Sequence, residues 1–158
     1  MRYKNNRNNI IIDVSMNVMN KVFRICDEVK NHETGGIIIG YYSVDLKKVI
    51  ITDFTFPPDD SKLGSTWFIR GIKGLKKLLS NKWKVNEYYL GEWHFHPNNS
   101  ANPSYQDKKQ LLEISNDARF ACPEPIMLIT CKNIIGYDVS LNMWFDGKLI
   151  KFYEEKIN

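Results

Sequence analysis

The hydrophobic pattern divides the chain into short apolar or alternating runs, with amphipathic stretches between them. "IIIDV" follows the polar "NNRNN" and reads as a short strand, with residues 1–9 ahead of it frayed. "SMNVMNKVFRICDEVKN" places Val18, Val22, Ile25 and Val29 on one helical face, and Ser15 stands where an N-cap belongs. "TGGIIIGYY" is β-branched and bounded by glycine, the mark of a buried strand. "KKVIITDFTF" pairs with it as a hairpin after Asp45. "PPDDSKLGS", from Pro57 to Ser65, is a loop by composition. "TWFIRG" reads as a short strand or strand end, and "IKGLKKLLSNKWKV" as a second helix. "EYYLGEWHFH" is a strand, "PNNSANP" a loop, and "SYQDKKQLLEIS" a third helix that starts at Ser104. "EPIMLITC", "GYDVSLNMWF" and "GKLIKFYE" close the chain as strands, the last two joined by an Asp146-Gly147 turn. Helices and strands interleave without a strict βαβ rhythm. The expected class is α/β in the mixed α+β sense: one curved mixed sheet flanked by helices, in a single domain over residues 1–158.

Composition narrows the function classes. At 158 residues and 43% hydrophobic content the chain can bury a core without disulfides or a structural metal. The net charge is +4, but the lysines are spread along the chain, so charge gives no case for a nucleic-acid partner. One basic stretch, Lys73 to Lys84, reads either as a solvated lysine face of the second helix or as a docking face for an acidic partner. Cys26, Cys122 and Cys131 form no CxxC pair and lie among apolar neighbours, as buried thiols in a reducing compartment do. The N-terminal stretch has no apolar signal core, and no apolar run approaches the ~20 residues of a membrane helix. The expectation is a soluble cytoplasmic protein with no membrane partner.

The candidate chemistry lies in "GEWHFHPNNSANPSYQD", Gly91 to Asp107. On a strand, residues two apart share a face, so His94 and His96 converge on one side and Trp93 and Phe95 on the other. Two neutral imidazoles held together make the first half of a zinc site, or simply a hydrogen-bonded pair. Asp107 falls one helical turn after Ser104 and offers a carboxylate third ligand if the helix start turns back to the strand end. Two histidines and a carboxylate leave a fourth tetrahedral position open, as catalytic zinc sites do. Ser-x-x-Asp is equally a capping box, with both side chains bonded to backbone N–H groups. Glu33 directly precedes a buried strand, a place for a general base beside a metal or for an ordinary loop carboxylate. "HETGG" lacks the second histidine of a helical HExxH site.

Glu33, then H-x-H-P, six residues and S-x-x-D together resemble the JAMM motif of the MPN-domain zinc metalloproteases, in the form of the prokaryotic JAB family. The resemblance runs from about Val14 to about Phe145. It implies a cytidine-deaminase-like curved mixed sheet between helices. It also implies Zn2+ held by His94, His96 and Asp107, with Glu33 as the base and Ser104 as an oxyanion donor. Members of that family cut peptide or isopeptide bonds after the C-terminal tail of ubiquitin-like proteins. Compact bacterial ones are similar to the deconjugating peptidases of CBASS anti-phage operons, which act on nucleotidyltransferase conjugates. The implied partner is a protein with an extended C-terminal tail, pairing with a strand edge near Pro57 to Trp67. A sulfur-carrier-maturing peptidase and a RadC-like DNA-associated protein are the alternatives. Two features depart from the motif. Phe95 stands where serine or threonine is usual, and the Pro57–Ser65 loop is not glycine-rich.

Overall fold

A computed structural model describes residues 1–97 and 100–155; Asn98 and Asn99 of the expected loop lie outside the described residues. The first strands are β1 (Arg2–Asn5) and β2 (Ile10–Val14). The helix α1 (Met16–Val29) follows, with the Ser15 hydroxyl accepting the Val18 N–H at its start. Its buried face carries Met19, Val22, Ile25 and Cys26, with Val18 and Val29 at the margin. β3 (Thr34–Tyr42) and β4 (Lys48–Phe54) form the expected antiparallel hairpin. Two-residue strands β5 (Lys62–Leu63) and β6 (Phe68–Ile69) then pair, among the described residues, only with each other. α2 (Leu75–Trp83) contains no buried residue. β7 (Tyr88–Phe95), α3 (Tyr105–Asn116), a 3-10 turn (Ala118–Phe120), β8 (Ile126–Lys132), β9 (Tyr137–Phe145) and β10 (Lys148–Glu154) complete the chain. Asp146 and Gly147 both take positive φ (49° and 72°), the backbone that a two-residue hairpin turn requires.

Eight strands close into a barrel in the order β1-β10-β9-β8-β7-β3-β4-β2. β7–β8 and β2–β4 are parallel, and the other pairs are antiparallel. Two expectations are corrected here. Residues 1–9 are not frayed throughout: Arg2–Asn5 pairs with β2 on one side and β10 on the other, and this strand closes the sheet. The backbone supplies those hydrogen bonds whatever the side chains, so a short polar segment carries no periodic signal of them. The Pro57–Ser65 segment also contains β5, too short for any alternation to register.

The strands alternate between two environments. Trp93 and Phe95 of β7 enter the main cluster with Ile12, Ile38, Phe54, Leu128 and the α1 residues. Each large side chain so buried contributes about 1.5–3 kcal/mol. The opposite face of β7 and β8 looks toward α3, whose Leu111 packs on Met127 and Ile129. This second face carries the polar residues of β7. Among the described residues no helix is long and apolar enough to cross a membrane.

Candidate metal centre

His94 lies near the end of β7 opposite Gly35 of β3, and His96 follows the strand directly, its N–H donating to the Thr130 carbonyl of parallel β8 at 2.9 Å. A Cβ on Gly35 would sit 2.3 Å from the Trp93 carbonyl and 2.8 Å from His94 Cδ2, so only glycine lets β3 come this close. Asp107 sits in the first turn of α3 and reaches back to both imidazoles. Its Oδ1 is 2.8 Å from His94 Nδ1 and its Oδ2 is 3.5 Å from His96 Nε2. His96 Nδ1 faces the Ser100 carbonyl at 3.3 Å. All three side chains are buried.

The two readings of "SYQD" hold together. The Ser104 hydroxyl accepts the Asp107 N–H at 3.1 Å, and Asp107 Oδ2 accepts the Ser104 N–H at 2.7 Å, a complete capping box. Oδ1 of the same carboxylate faces His94. The cap therefore fixes the rotamer that presents Asp107 to the histidines. Burial pushes the Asp107 carboxyl up, but His94 and the Ser104 contacts outweigh it and hold it well below the usual carboxylate range. Burial pushes His94 down, yet Asp107 and Glu92 outweigh that and raise it to about 9.

Glu33 lines the same cleft, of about 450 Å³, with Ser104, Asp107 and both histidines. Its backbone N–H is held by the Gly64 carbonyl at 2.8 Å, which pins the chain just before β3. Burial pushes its carboxyl above the ordinary value; His96 and His94 oppose the shift and Asp107 adds to it. All five residues singled out in the sequence thus meet at one place. His32, next to Glu33, is exposed.

Several contributors escaped the sequence reading. Trp67 and Phe68 form a wall of the cleft, and the Phe68 ring meets His94 edge-on at 5.8 Å. Glu92 lies on the histidine face of β7 with 1% exposure, bonded to Arg70 and Gln110. Its signal was present: two residues before His94, it shares that histidine's side of the strand.

The donor set fits a divalent ion. One ligand atom from each of His94, His96 and Asp107 lies within 4.8 Å of the other two. Donors about 2.0–2.2 Å from a tetrahedral zinc stand about 3.5 Å apart, within reach of that cluster. Nε2 of His94 is buried without a hydrogen-bond partner, 3.8 Å from Glu92 Oε2, so this ring nitrogen stands unused beside the cluster.

Comparisons with known proteins place the chain among relatives. Residues 16–144 match the family described as prokaryotic homologs of the JAB domain. A protein of Enterobacter hormaechei named "CD-NTase/cGAS isopeptidase" is 41% identical over 118 residues, 75% of this chain and 66% of that protein. "Probable metalloprotease y4qB" of Sinorhizobium fredii is 28% identical over 103 residues, 63% of this chain and 62% of its own. The chain thus spans slightly under two thirds of the length of these curated relatives. The solution structure of protein DSY2949 from Desulfitobacterium hafniense superimposes with a TM-score of 0.67 at 16% identity, over 89% of this chain and 88% of that one. That likeness concerns the fold.

Proposed function

The chain belongs to the family of prokaryotic JAB-domain homologs, and from that membership we propose that it is a zinc-dependent isopeptidase that releases proteins joined through an extended C-terminal tail. The observation that carries the reading is the convergence of His94, His96 and Asp107 from a strand end and a helix start, with Glu33 on the same cleft. Zinc held by these three side chains would supply a Lewis acid and lower the pKa of water from about 15.7 toward about 7.

The chain's own groups supply the rest. Glu33 is a carboxylate that burial makes more basic, so it accepts a proton from the attacking water and passes it to the departing amine. Ser104 uses its oxygen to accept the Asp107 N–H, which leaves its own O–H to donate to the scissile carbonyl oxygen as charge grows there. Trp67 and Phe68 shield the cleft from water and present an apolar surface to the tail.

The Enterobacter hormaechei relative named "CD-NTase/cGAS isopeptidase" supports a nucleotidyltransferase-type conjugate as the substrate we propose; the place we propose for it, a cytoplasmic anti-phage system, rests on the motif resemblance alone. The test is direct. An isopeptide-linked CD-NTase conjugate, incubated with the protein, should be cleaved. Cleavage should stop with a chelator and return with added zinc. Cleavage that continues in excess chelator refutes the metal assignment. A protein that cleaves other ubiquitin-like conjugates but not this one refutes the substrate alone.

A further inference from the structure

Two rungs connect β7 to α3. One is the His94–Asp107 contact at 2.8 Å. The other lies beside it: Gln110 donates from Nε2 to Glu92 Oε2, also at 2.8 Å. Glu92 stands two residues before His94 on the strand, and Gln110 one turn after Asp107 on the helix, so the two rungs share their faces. The second rung is heavily built. Arg70 reaches Glu92 Oε1 through both Nε and Nη2 at 2.9 Å, and the Tyr89 hydroxyl donates to the same oxygen at 3.2 Å. The orphaned Nε2 of His94 faces Glu92 Oε2 at 3.8 Å. Arg70 directly follows β6, the strand that brings Phe68 to the cleft.

A buried ion pair is a poor source of stability, because apolar residues of the same volume serve as well or better. Its placement here points to another use. We infer that Glu92 is a positioning residue for the metal centre: it sets the separation of His94 and Asp107 by bridging β7 to α3, and Arg70 ties that bridge to the β5–β6 hairpin. The inference rests on the metal reading above. Outer partners of metal ligands typically change metal affinity about 10- to 100-fold when removed.

The test is zinc affinity in Glu92→Gln, measured by competition with a chromophoric chelator, together with the visible spectrum of the cobalt-substituted protein. The variant keeps the side-chain shape and loses the charge. Zinc affinity should fall about 10- to 100-fold with an altered cobalt spectrum. Gln110→Leu should weaken zinc by a smaller factor. Arg70→Gln added to Glu92→Gln should cost little more, since both act through one contact. A merely structural Glu92 lowers the melting temperature and leaves zinc affinity and the cobalt spectrum unchanged; that result overturns the inference. If Glu92→Gln fails to fold, Gln110→Leu decides alone, and unchanged affinity there overturns it. Wild-type protein that takes up no zinc overturns the metal reading and this inference together. Wild-type uptake matched by Glu92→Gln overturns this inference only.

Discussion

The two sides of the cleft are built in opposite ways. On the β7–α3 side, Glu92, His94, His96 and Asp107 are 1–7% exposed, and hydrogen bonds join Asp107 to His94 and Glu92 to Gln110. On the hairpin side, Trp67, Ile69 and Ile72 are 48%, 59% and 73% exposed, and among the described residues β5 and β6 pair only with each other. The first side is over-determined by sheet register, a helix cap and buried polar contacts. The second is held by a few anchors: Gly64 to Glu33, Arg70 to Glu92, and Asp60 accepting the Ile72 and Lys73 N–H groups. Chemistry needs the fixed side, because a small misplacement of reacting groups is costly in rate. The exposed side turns large apolar side chains to solvent, which is where the proposed recognition of a protein tail would fall.

Substitutions sharpen that contrast. The largest effects belong to the fixed side. Glu33→Gln should cut turnover about 10²–10⁴-fold while retaining zinc, whereas Asp107→Ala should lose zinc and turnover together. Metal analysis beside a cleavage assay separates the two. Phe95→Ala should cost about 3–5 kcal/mol in denaturant unfolding, since Phe95 is fully buried behind the histidines. Ser104→Ala should lower turnover about 10²–10³-fold and stability by about 1 kcal/mol, because one hydroxyl serves both oxyanion and helix cap.

Next comes pH. The folded-state pKa of His94, about 9, lies above the roughly 6.5 of an unfolded histidine. The metal-free protein therefore has this stabilisation in full below pH about 6.5 and loses it as pH rises through about 9. Zinc binding requires the neutral imidazole, so zinc affinity climbs over the same interval. Melting temperatures with chelator and with zinc should diverge as pH increases; parallel curves would sink the assignment of His94 to the metal. The smallest effect is on the exposed side: Ile69→Ser should shift stability within about 0.5 kcal/mol. If it instead unfolds the protein, the hairpin is part of the fixed structure and the contrast fails.

What could be read from the sequence follows the same division. The face of α1 was visible at Val22 and Ile25 because helical spacing writes itself into apolar positions. Met19 and Cys26 share that face, but they fall on neighbouring turns outside the chosen stripe. His94, His96 and Asp107 were open to a metal reading because strand alternation and a helix start fix directions locally, while the joining of Glu33 and Ser104 to them came from the resemblance to the JAMM motif. Arg2–Asn5 was not legible as a strand, because its backbone pairs with nearby β2 and distant β10 while its mostly polar side chains carry no alternation to announce either. Nor was the Arg70–Glu92 pair, which joins two segments across 22 positions with no shared period.

Asp107 divides its carboxylate between two duties, one oxygen closing the first turn of α3 and the other turned to His94. Opening of that turn would withdraw the carboxylate from His94, so helix capping and the proposed metal ligation would share one side chain. Asp107→Asn, which keeps the amide's cap partner Ser104 but removes the charge, should therefore weaken zinc more than it weakens the helix start, read by metal analysis beside thermal melting.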